Sequence, residues 1–381
     1  MIEMSEKSDE IEKLYETLAE KLDATLQGLS KLDTPSHISD TWMEYLRVLV
    51  SPEDLEFLIH LPIFPSTITA QKFAKKIGKS EDEATEILER LFKNDSVMRI
   101  GSKAKRYAIH LPFLFFDIPP LSYESMPPEK AQKLAELSYK YLTEEEWYRN
   151  FEGSSETPLT RVIPVQESLS PQQEILPYEQ VIHIIEEAHV IALQKCACRA
   201  RLDFLGIRKC DHPLESCISV NQGAQYFIDR GLGRQISKEE ALQLLKEFNK
   251  RGLVHTTENY KEENHTLICN CCACCCNLLG GITRWSNPRA VARANFIASV
   301  KAPENCIQCN ICVEKCNFKA ITLIDNQPQI DAEKCMGCGI CVVNCTSDVL
   351  ELKREQREAI YTNLAELGFK VAKETNRKIN F

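Results

Sequence analysis

Two runs, "CIQCNICVEKC" and "CMGCGICVVNC", place Cys306, Cys309, Cys312 and Cys316, then Cys335, Cys338, Cys341 and Cys345, at the same C-x2-C-x2-C-x3-C spacing. A third stretch, "CNCCACCC", holds Cys269, Cys271, Cys272, Cys274, Cys275 and Cys276, six thiols in eight residues. A fourth, "CACRARLDFLGIRKCDHPLESC", adds Cys196, Cys198, Cys210 and Cys217. In a reducing compartment these 18 cysteines do not make a disulfide framework, a device of small secreted domains. Vicinal disulfides at Cys271–Cys272 or Cys274–Cys275 would be strained and easily reduced. Neutral thiols do pack as small apolar groups, but six in eight residues exceed any packing need. Metal or redox chemistry is the default reading. None of the 18 precedes Cys196, so the first half of the chain reads as scaffold.

The two four-cysteine runs resemble the bacterial two-cluster ferredoxins, over about residues 300 to 352. In that family the C-x2-C-x2-C loop wraps three corners of one cubane, and the fourth cysteine, on the following helix, ligates the other. The resemblance implies one [4Fe–4S] cluster on Cys306, Cys309, Cys312 and Cys345, and a second on Cys335, Cys338, Cys341 and Cys316. It also implies a short hairpin for "FKAITLIDNQPQID", with Ile307, Ile311, Phe318, Ile321, Ile340 and Val342 walling off solvent. The proline that commonly follows the fourth cysteine is replaced by Asn317 in the first run and Thr346 in the second. That change bears on loop rigidity and cluster potential, whereas ligation does not need the proline. Zinc sites favour paired C-x2-C arms over two tandem four-cysteine runs.

The other ten cysteines are expected to hold one or two further iron–sulfur clusters between the two segments that carry them. An extended backbone through "CNCCACCC" would throw Cys272, Cys274 and Cys276 to one face and Cys269, Cys271 and Cys275 to the other. Two faces imply two jobs: one meets a cluster shared with the C-x-C segment, the other a second cluster, a partner's thiols or substrate. A cluster of unusual ligation and a zinc site are the alternatives. Arg199 and Arg201, beside Cys198, would offset the charge of thiolate-ligated iron, and Lys209 and His212 flank Cys210 similarly. Ordinary surface charge is the competing reading of those four. The whole layout, over roughly residues 160 to 350, resembles 4Fe–4S dicluster proteins of anaerobes. That resemblance supplies no substrate.

Other cofactors lack local support. "GLGRQI", at Gly231 and Gly233, fails the G-x-G-x-x-G spacing, and no G-x4-G-K-[ST], C-x2-C-H or H-E-x2-H occurs. His183, His189, His255 and His265 lie in the cysteine-bearing half and read as structural; His265, near Cys269, is the one to test. The net charge of −9 argues against a general nucleic-acid or anionic-membrane binder. "MIEMSEKSDEIEKL" lacks the order of a signal peptide, and no apolar run approaches the roughly 20 residues of a membrane span. A soluble cytoplasmic protein is expected.

The elements that must position these residues suggest an α+β, multidomain chain. Ile11, Leu14, Leu18, Leu22 and Leu26 stand at helical spacing before Gly28 and make an N-terminal helix within residues 1–39. Over 40–113 come the Trp42, Leu46 and Val50 face, a helix started by Ser51 and Asp54, and two helices joined at Gly78. The second of these carries a Ser80 and Glu83 capping box, and a hairpin follows it. This order resembles a winged helix-turn-helix domain. Its recognition helix, from Ser80 to Lys93, nevertheless balances at −3, which repels phosphates. The basic hairpin tip, Lys103, Lys105 and Arg106, is small. DNA binding is therefore disfavoured against docking or homodimer and complex formation through the N-terminal helical region.

Residues 114–177 read as a helix from about Pro128 to Arg149 plus an ordered arm or linker, and 178–299 as a cysteine-rich α+β domain. In the latter, a helix, a short strand and a cysteine loop precede a helix from Ser237 to Lys250; the strands "LVHTT" and "HTLICN" come next. The ferredoxin-like module occupies 300–352, and 353–381 reads as a C-terminal helix packed by Ile360, Leu364 and Leu367.

The function expected from this layout is electron transfer: clusters relay low-potential electrons to or from a redox partner protein. A reductase with a catalytic extra cluster at the 196–217 and 269–276 segments is the first alternative. A redox-responsive winged-helix regulator is the second.

Overall fold

The computed structural model describes residues 2–25, 29, 37–101, 104–145, 155–170, 173, 175–262, 265–357 and 359–376. Leu26, Gly28 and Lys103, and the expected helix end beyond residue 145, lie outside them. The chain is mixed α and β and divides into two compact units. One comprises Met1–Ser154, Ala200–Ile207 and Ala372–Phe381; the other comprises Ser155–Arg199 and Arg208–Val371.

The first unit is largely helical. It holds α1 (Ile2–Asp23), α2 (Asp40–Leu49), α3 (Pro52–Leu58), α4 (Ala70–Ile77), α5 (Glu81–Lys93), a hairpin of β1 (Val97–Ile100) and β2 (Arg106–Ile109), α6 (Leu114–Asp117) and α7 (Pro128–Thr143). Local chemistry sets these boundaries. The hydroxyls of Ser39, Ser51, Thr69 and Ser80 accept from backbone N–H groups in the first turns of α2 to α5. Ser80 and Glu83 complete a reciprocal box. Asp54 turns its carboxylate instead to Arg90 Nε at 2.9 Å and Asn94 Nδ2 at 2.8 Å, tying α3 to the end of α5. α4 stops at Gly78, whose φ of 66° is left-handed.

The core of this unit is an aromatic cluster. Trp42 is fully buried, 6.1 Å from Tyr45, 5.1 Å from Phe116 and 5.8 Å from Tyr141 between ring centroids. Arg201 is also buried here, donating from Nε to Ser138 Oγ at 2.9 Å and from Nη2 to the Phe116 carbonyl. It packs on the helical core and not beside the thiols, contrary to the expectation from its nearness to Cys198 in sequence.

The second unit is built on a six-stranded, wholly antiparallel sheet of order β3-β7-β8-β5-β4-β6. Its strands are β3 (Thr160–Ile163), β4 (Ile191–Lys195), β5 (Glu215–Val220), β6 (Gly233–Gln235), β7 (Val254–Glu258) and β8 (Leu267–Cys271). The helix Lys238–Arg251, capped by Ser237 and closed by Gly252 at φ 86°, precedes β7. Ile218 faces Ile268 across β5 and β8, so one step along that ladder sets Cys217 against Cys269. Cys196 follows directly on β4, the other neighbour of β5. Sheet order therefore brings together thiols far apart in sequence. Residues 155–170 are an ordered part of this unit: β3 pairs with β7, and the Val165 N–H bonds to the Cys338 carbonyl at 2.9 Å.

Beyond the sheet, β9 (Phe296–Val300) pairs with β12 (Leu350–Arg354), and β10 (Ile321–Ile324) with β11 (Gln327–Ile330). Each C-x2-C-x2-C loop ends in a short helix, Ile311–Glu314 or Ile340–Val343. The two loops share a backbone pattern. Positive φ recurs at matched places: Gln308 and Gly337, Asn310 and Gly339, Lys319 and Asp348. Glycine is required in the second loop, because a Cβ at Gly337 would strike the Phe296 carbonyl and one at Gly339 the Ser168 side chain.

Two expectations need correction. The expected cysteine loop after β4 is a helix, Ala197–Phe204, with Cys198 in its first turn. The C-terminal stretch does not begin as a helix: β12 runs to Arg354 and the helix spans only Leu364–Glu374. Leu367 is buried there, but Leu364 is 53 % exposed, because the helix starts at that residue and its first turn faces solvent.

Trp42→Ala is expected to destabilise the helical unit by about 3–5 kcal/mol. Anaerobic urea unfolding followed by circular dichroism measures this; a cost under about 1 kcal/mol would show that the cluster is not the core.

Candidate metal centres

The thiols form four groups, all within the second unit. The first cavity, partly open, is lined by Cys306, Cys309, Cys312 and Cys345. The second is lined by Cys316, Cys335, Cys338 and Cys341. Each cavity thus meets three cysteines of one run and the fourth of the other. The surroundings differ. Cys309 is exposed and Ile307 is 65 % exposed, so Ile307 does not wall off solvent as expected; it precedes the left-handed Gln308 on an outward loop. Around the second cavity Cys335, Cys341, Met336, Phe318 and Ile340 are all buried.

Backbone N–H groups point at these sulfurs: Ala320 to Cys316 at 3.2 Å, Val349 to Cys345 at 3.4 Å and Ala298 to Cys335 at 3.5 Å. Burial pushes the Cys338 thiol up to about 12 and holds Cys341 well above its ordinary value. Bare thiolates are therefore costly here, and a cationic centre in the cavity would supply the missing charge. Four cysteine sulfurs in an apolar pocket with N–H donors aimed at them form the donor set of an iron–sulfur cluster.

The other ten cysteines divide differently from the alternation expected along "CNCCACCC". β8 ends at Cys271, and the chain then turns: the N–H groups of Cys275 and Cys276 both reach the Cys272 carbonyl, at 3.3 and 3.0 Å. That turn exchanges the sides of the last two thiols. Cys276, which caps the helix Asn277–Thr283, joins Cys269 and Cys271, while Cys275 joins Cys272 and Cys274.

The larger group is a closed ring of six. Hydrogen-bonding contacts run from Cys196 to Cys198 and Cys217, from Cys269 to Cys217 and Cys271, and from Cys276 to Cys271 and Cys198. The one distance that anchors it is Cys276 Sγ to Cys271 Sγ, 3.4 Å. Hydrogen bonds from Cys269 and Cys276 lower the Cys271 thiol to about 6, and those from Cys196 and Cys269 lower Cys217 further. The smaller group is Cys210, Cys272, Cys274 and Cys275, whose four sulfurs all lie within 4.8 Å of one another.

Arg199 links the two groups. It is fully buried and donates from Nε to Cys272 Sγ at 3.4 Å, from Nη2 to the Asn270 carbonyl at 2.6 Å and from Nη1 to the Pro213 carbonyl at 3.1 Å. Burial alone would lower its proton affinity; the neighbouring Cys196 and Cys272 sulfurs reverse that and raise it. The surface-charge reading of Arg199 is thereby excluded. His212 is half-buried and offers its carbonyl to Arg208, with its ring pKa lowered by burial. His265 is turned to Glu258 at 3.2 Å and stacks on Tyr260, so it serves the β7–β8 connection.

Asn317 has a role that sequence reasoning did not foresee. Its Oδ1 accepts from the Ala273 N–H at 2.8 Å and its Nδ2 donates to the Gly252 carbonyl at 2.8 Å. The residue standing in place of the customary proline thus ties the Cys316 turn to the Cys272–Cys275 turn. Proline could make neither bond.

Residues 305–349 match the 4Fe-4S dicluster domain family, and the chain therefore carries an iron–sulfur domain. No curated protein and no solved structure matches the chain. Among the described residues no helix is long and apolar enough to cross a membrane.

Asn317→Ala leaves the Ala273 N–H and the Gly252 carbonyl without these partners in a half-buried site. It is expected to cost about 1–3 kcal/mol of stability while iron content stays unchanged. Anaerobic urea titration checks the first and colorimetric iron assay the second; unchanged stability would deny Asn317 its linking role.

Proposed function

We propose that this protein is a cytoplasmic, multi-cluster iron–sulfur electron-transfer protein that relays low-potential electrons to or from a redox partner enzyme in anaerobic metabolism. The observation that carries the reading is the crossed lining of the two cavities. Cys306, Cys309, Cys312 and Cys345 would hold one [4Fe–4S] cluster, and Cys335, Cys338, Cys341 and Cys316 the other. The ring of Cys196, Cys198, Cys217, Cys269, Cys271 and Cys276 would hold a further cluster. When bound, such groups supply one-electron transfer at potentials set by hydrogen bonds to sulfur and by exposure.

The chain's own residues give the relay a direction. The exposed Cys309 and Ile307 present the first cavity to a partner protein, whereas Cys335 and Cys341 keep the second away from water. Amide donors such as the Ala320 and Val349 N–H groups favour the more negative, reduced state. Arg199, at the start of the helix Ala197–Phe204, does the same for the buried Cys272 and Cys196.

The reductase alternative requires a coordination position open to substrate. A closed ring of six thiols offers more sulfur than one cubane uses, which favours relay over catalysis. A winged-helix reading of the α3–β2 region would need cations free to meet phosphate, but three at its hairpin are engaged. Arg99 and Lys105 both pair with Glu89, at 2.7 and 2.9 Å, and Arg106 bonds to Thr67. A docking or dimerisation role for the N-terminal helical region fits this better than DNA binding.

Reduced protein is expected to give an EPR spectrum broadened by two neighbouring [4Fe–4S] clusters. Cys312→Ala and Cys345→Ala should each remove the same one of these two clusters' signals, and Cys341→Ala and Cys316→Ala should each remove the other. If Cys345→Ala paired with Cys341→Ala instead, the crossed ligand assignment would be wrong.

A further inference from the structure

We propose that Cys210, Cys272, Cys274 and Cys275 bind one tetrahedral divalent ion, zinc or iron, and not an iron–sulfur cluster. The geometry is the first ground. Metal–sulfur bonds of about 2.3 Å in a tetrahedron set the sulfurs about 3.8 Å apart. Here Cys210 Sγ lies 3.5 Å from Cys275 Sγ, and Cys274 Sγ 3.7 Å from Cys275 Sγ, with all four sulfurs mutually within 4.8 Å. A cubane places each of its four thiolates on a different iron, so they stand much further apart.

The same molecule provides the contrast. The cysteines of the two C-x2-C-x2-C loops line pockets, and no thiol–thiol hydrogen bond joins them among the described residues. In the tetrad the sulfurs instead lie against one another. The proposal concerns only these four thiols and does not depend on what the ring of six holds.

Connectivity and charge agree. Cys272, Cys274 and Cys275 sit on one tight turn, and the fourth ligand arrives from the loop after the helix Ala197–Phe204, as in sites where an ion closes a long loop. Four thiolates around a divalent ion carry a net charge of about −2. The buried Arg199 guanidinium offsets part of it through its 3.4 Å bond to Cys272. Because Asn317 holds Ala273, the ion would also brace the turn that touches Cys316. An ion would equally protect Cys274, the exposed member, from oxidation.

The test uses the full chain purified anaerobically. Zinc and iron are measured by mass spectrometry, acid-labile sulfide is assayed, and Mössbauer spectra separate mononuclear tetrahedral thiolate iron from cluster iron. Wild type is expected to carry about one zinc, or about one mononuclear iron, per chain. Cys274→Ser, at the exposed position, and Cys210→Ser, on the loop, should each lose that ion with sulfide unchanged. Cys276→Ser, in the ring and outside the tetrad, should keep the ion, and its loss there would count against the tetrad as the site. Wild type lacking both zinc and mononuclear iron overturns the proposal before any variant is made. So does a loss of about four sulfides in both tetrad variants.

Discussion

Sulfur ligands are negative when they bind metal, and so many in one folded unit are tolerable only where each meets a positive partner. That constraint organises the second unit. Around the two C-x2-C-x2-C loops the partners are backbone N–H groups, from Ala320, Val349 and Ala298. At the other thiols one fully buried guanidinium does this work, and Arg199 is itself held by the Asn270 and Pro213 carbonyls. At Cys338 and Cys341 burial drives the thiol toward its neutral form, the neighbouring sulfurs add to that, and at Cys338 the Ile340 N–H only partly opposes it. A bound iron–sulfur cluster would complete the charge balance there.

The antiparallel sheet makes this arrangement possible. β8, β5 and β4 are neighbours, so Cys271 and Cys269, Cys217, and Cys196 gather at one region although they come from three separate stretches of the chain. The turn after Cys271 then feeds two groups from one stretch. Asn317 joins that turn to the iron–sulfur domain by a single side chain with both a donor and an acceptor. The thiols are thus positioned by strand ends and short turns.

Much of this was legible in the sequence, for a physical reason. The spacing of Cys306 to Cys316 and of Cys335 to Cys345 is local, and a tight loop can satisfy it in only a few ways. Helix starts at Ser51, Ser80 and Ser237 were equally local, since a hydroxyl caps the turn it precedes. The failures concern longer-range decisions. Alternation along "CNCCACCC" assumed an extended chain, but two N–H groups converging on the Cys272 carbonyl bend it and move Cys275 and Cys276 to opposite groups. Arg201 looked like a partner of Cys198, yet its place on the helix Ala197–Phe204 directs it to Ser138. Asn317 looked like a lost proline, and its two bonds depend on segments over forty residues away.

The proposed relay rests on a further polynuclear cluster in the ring of six, outside the two loops. Acid-labile sulfide counted on the anaerobically purified full chain tests it most directly, because sulfide reports clusters and ignores single ions. About twelve sulfides per chain or more are expected. A value of about eight, enough for two cubanes alone, would contradict it.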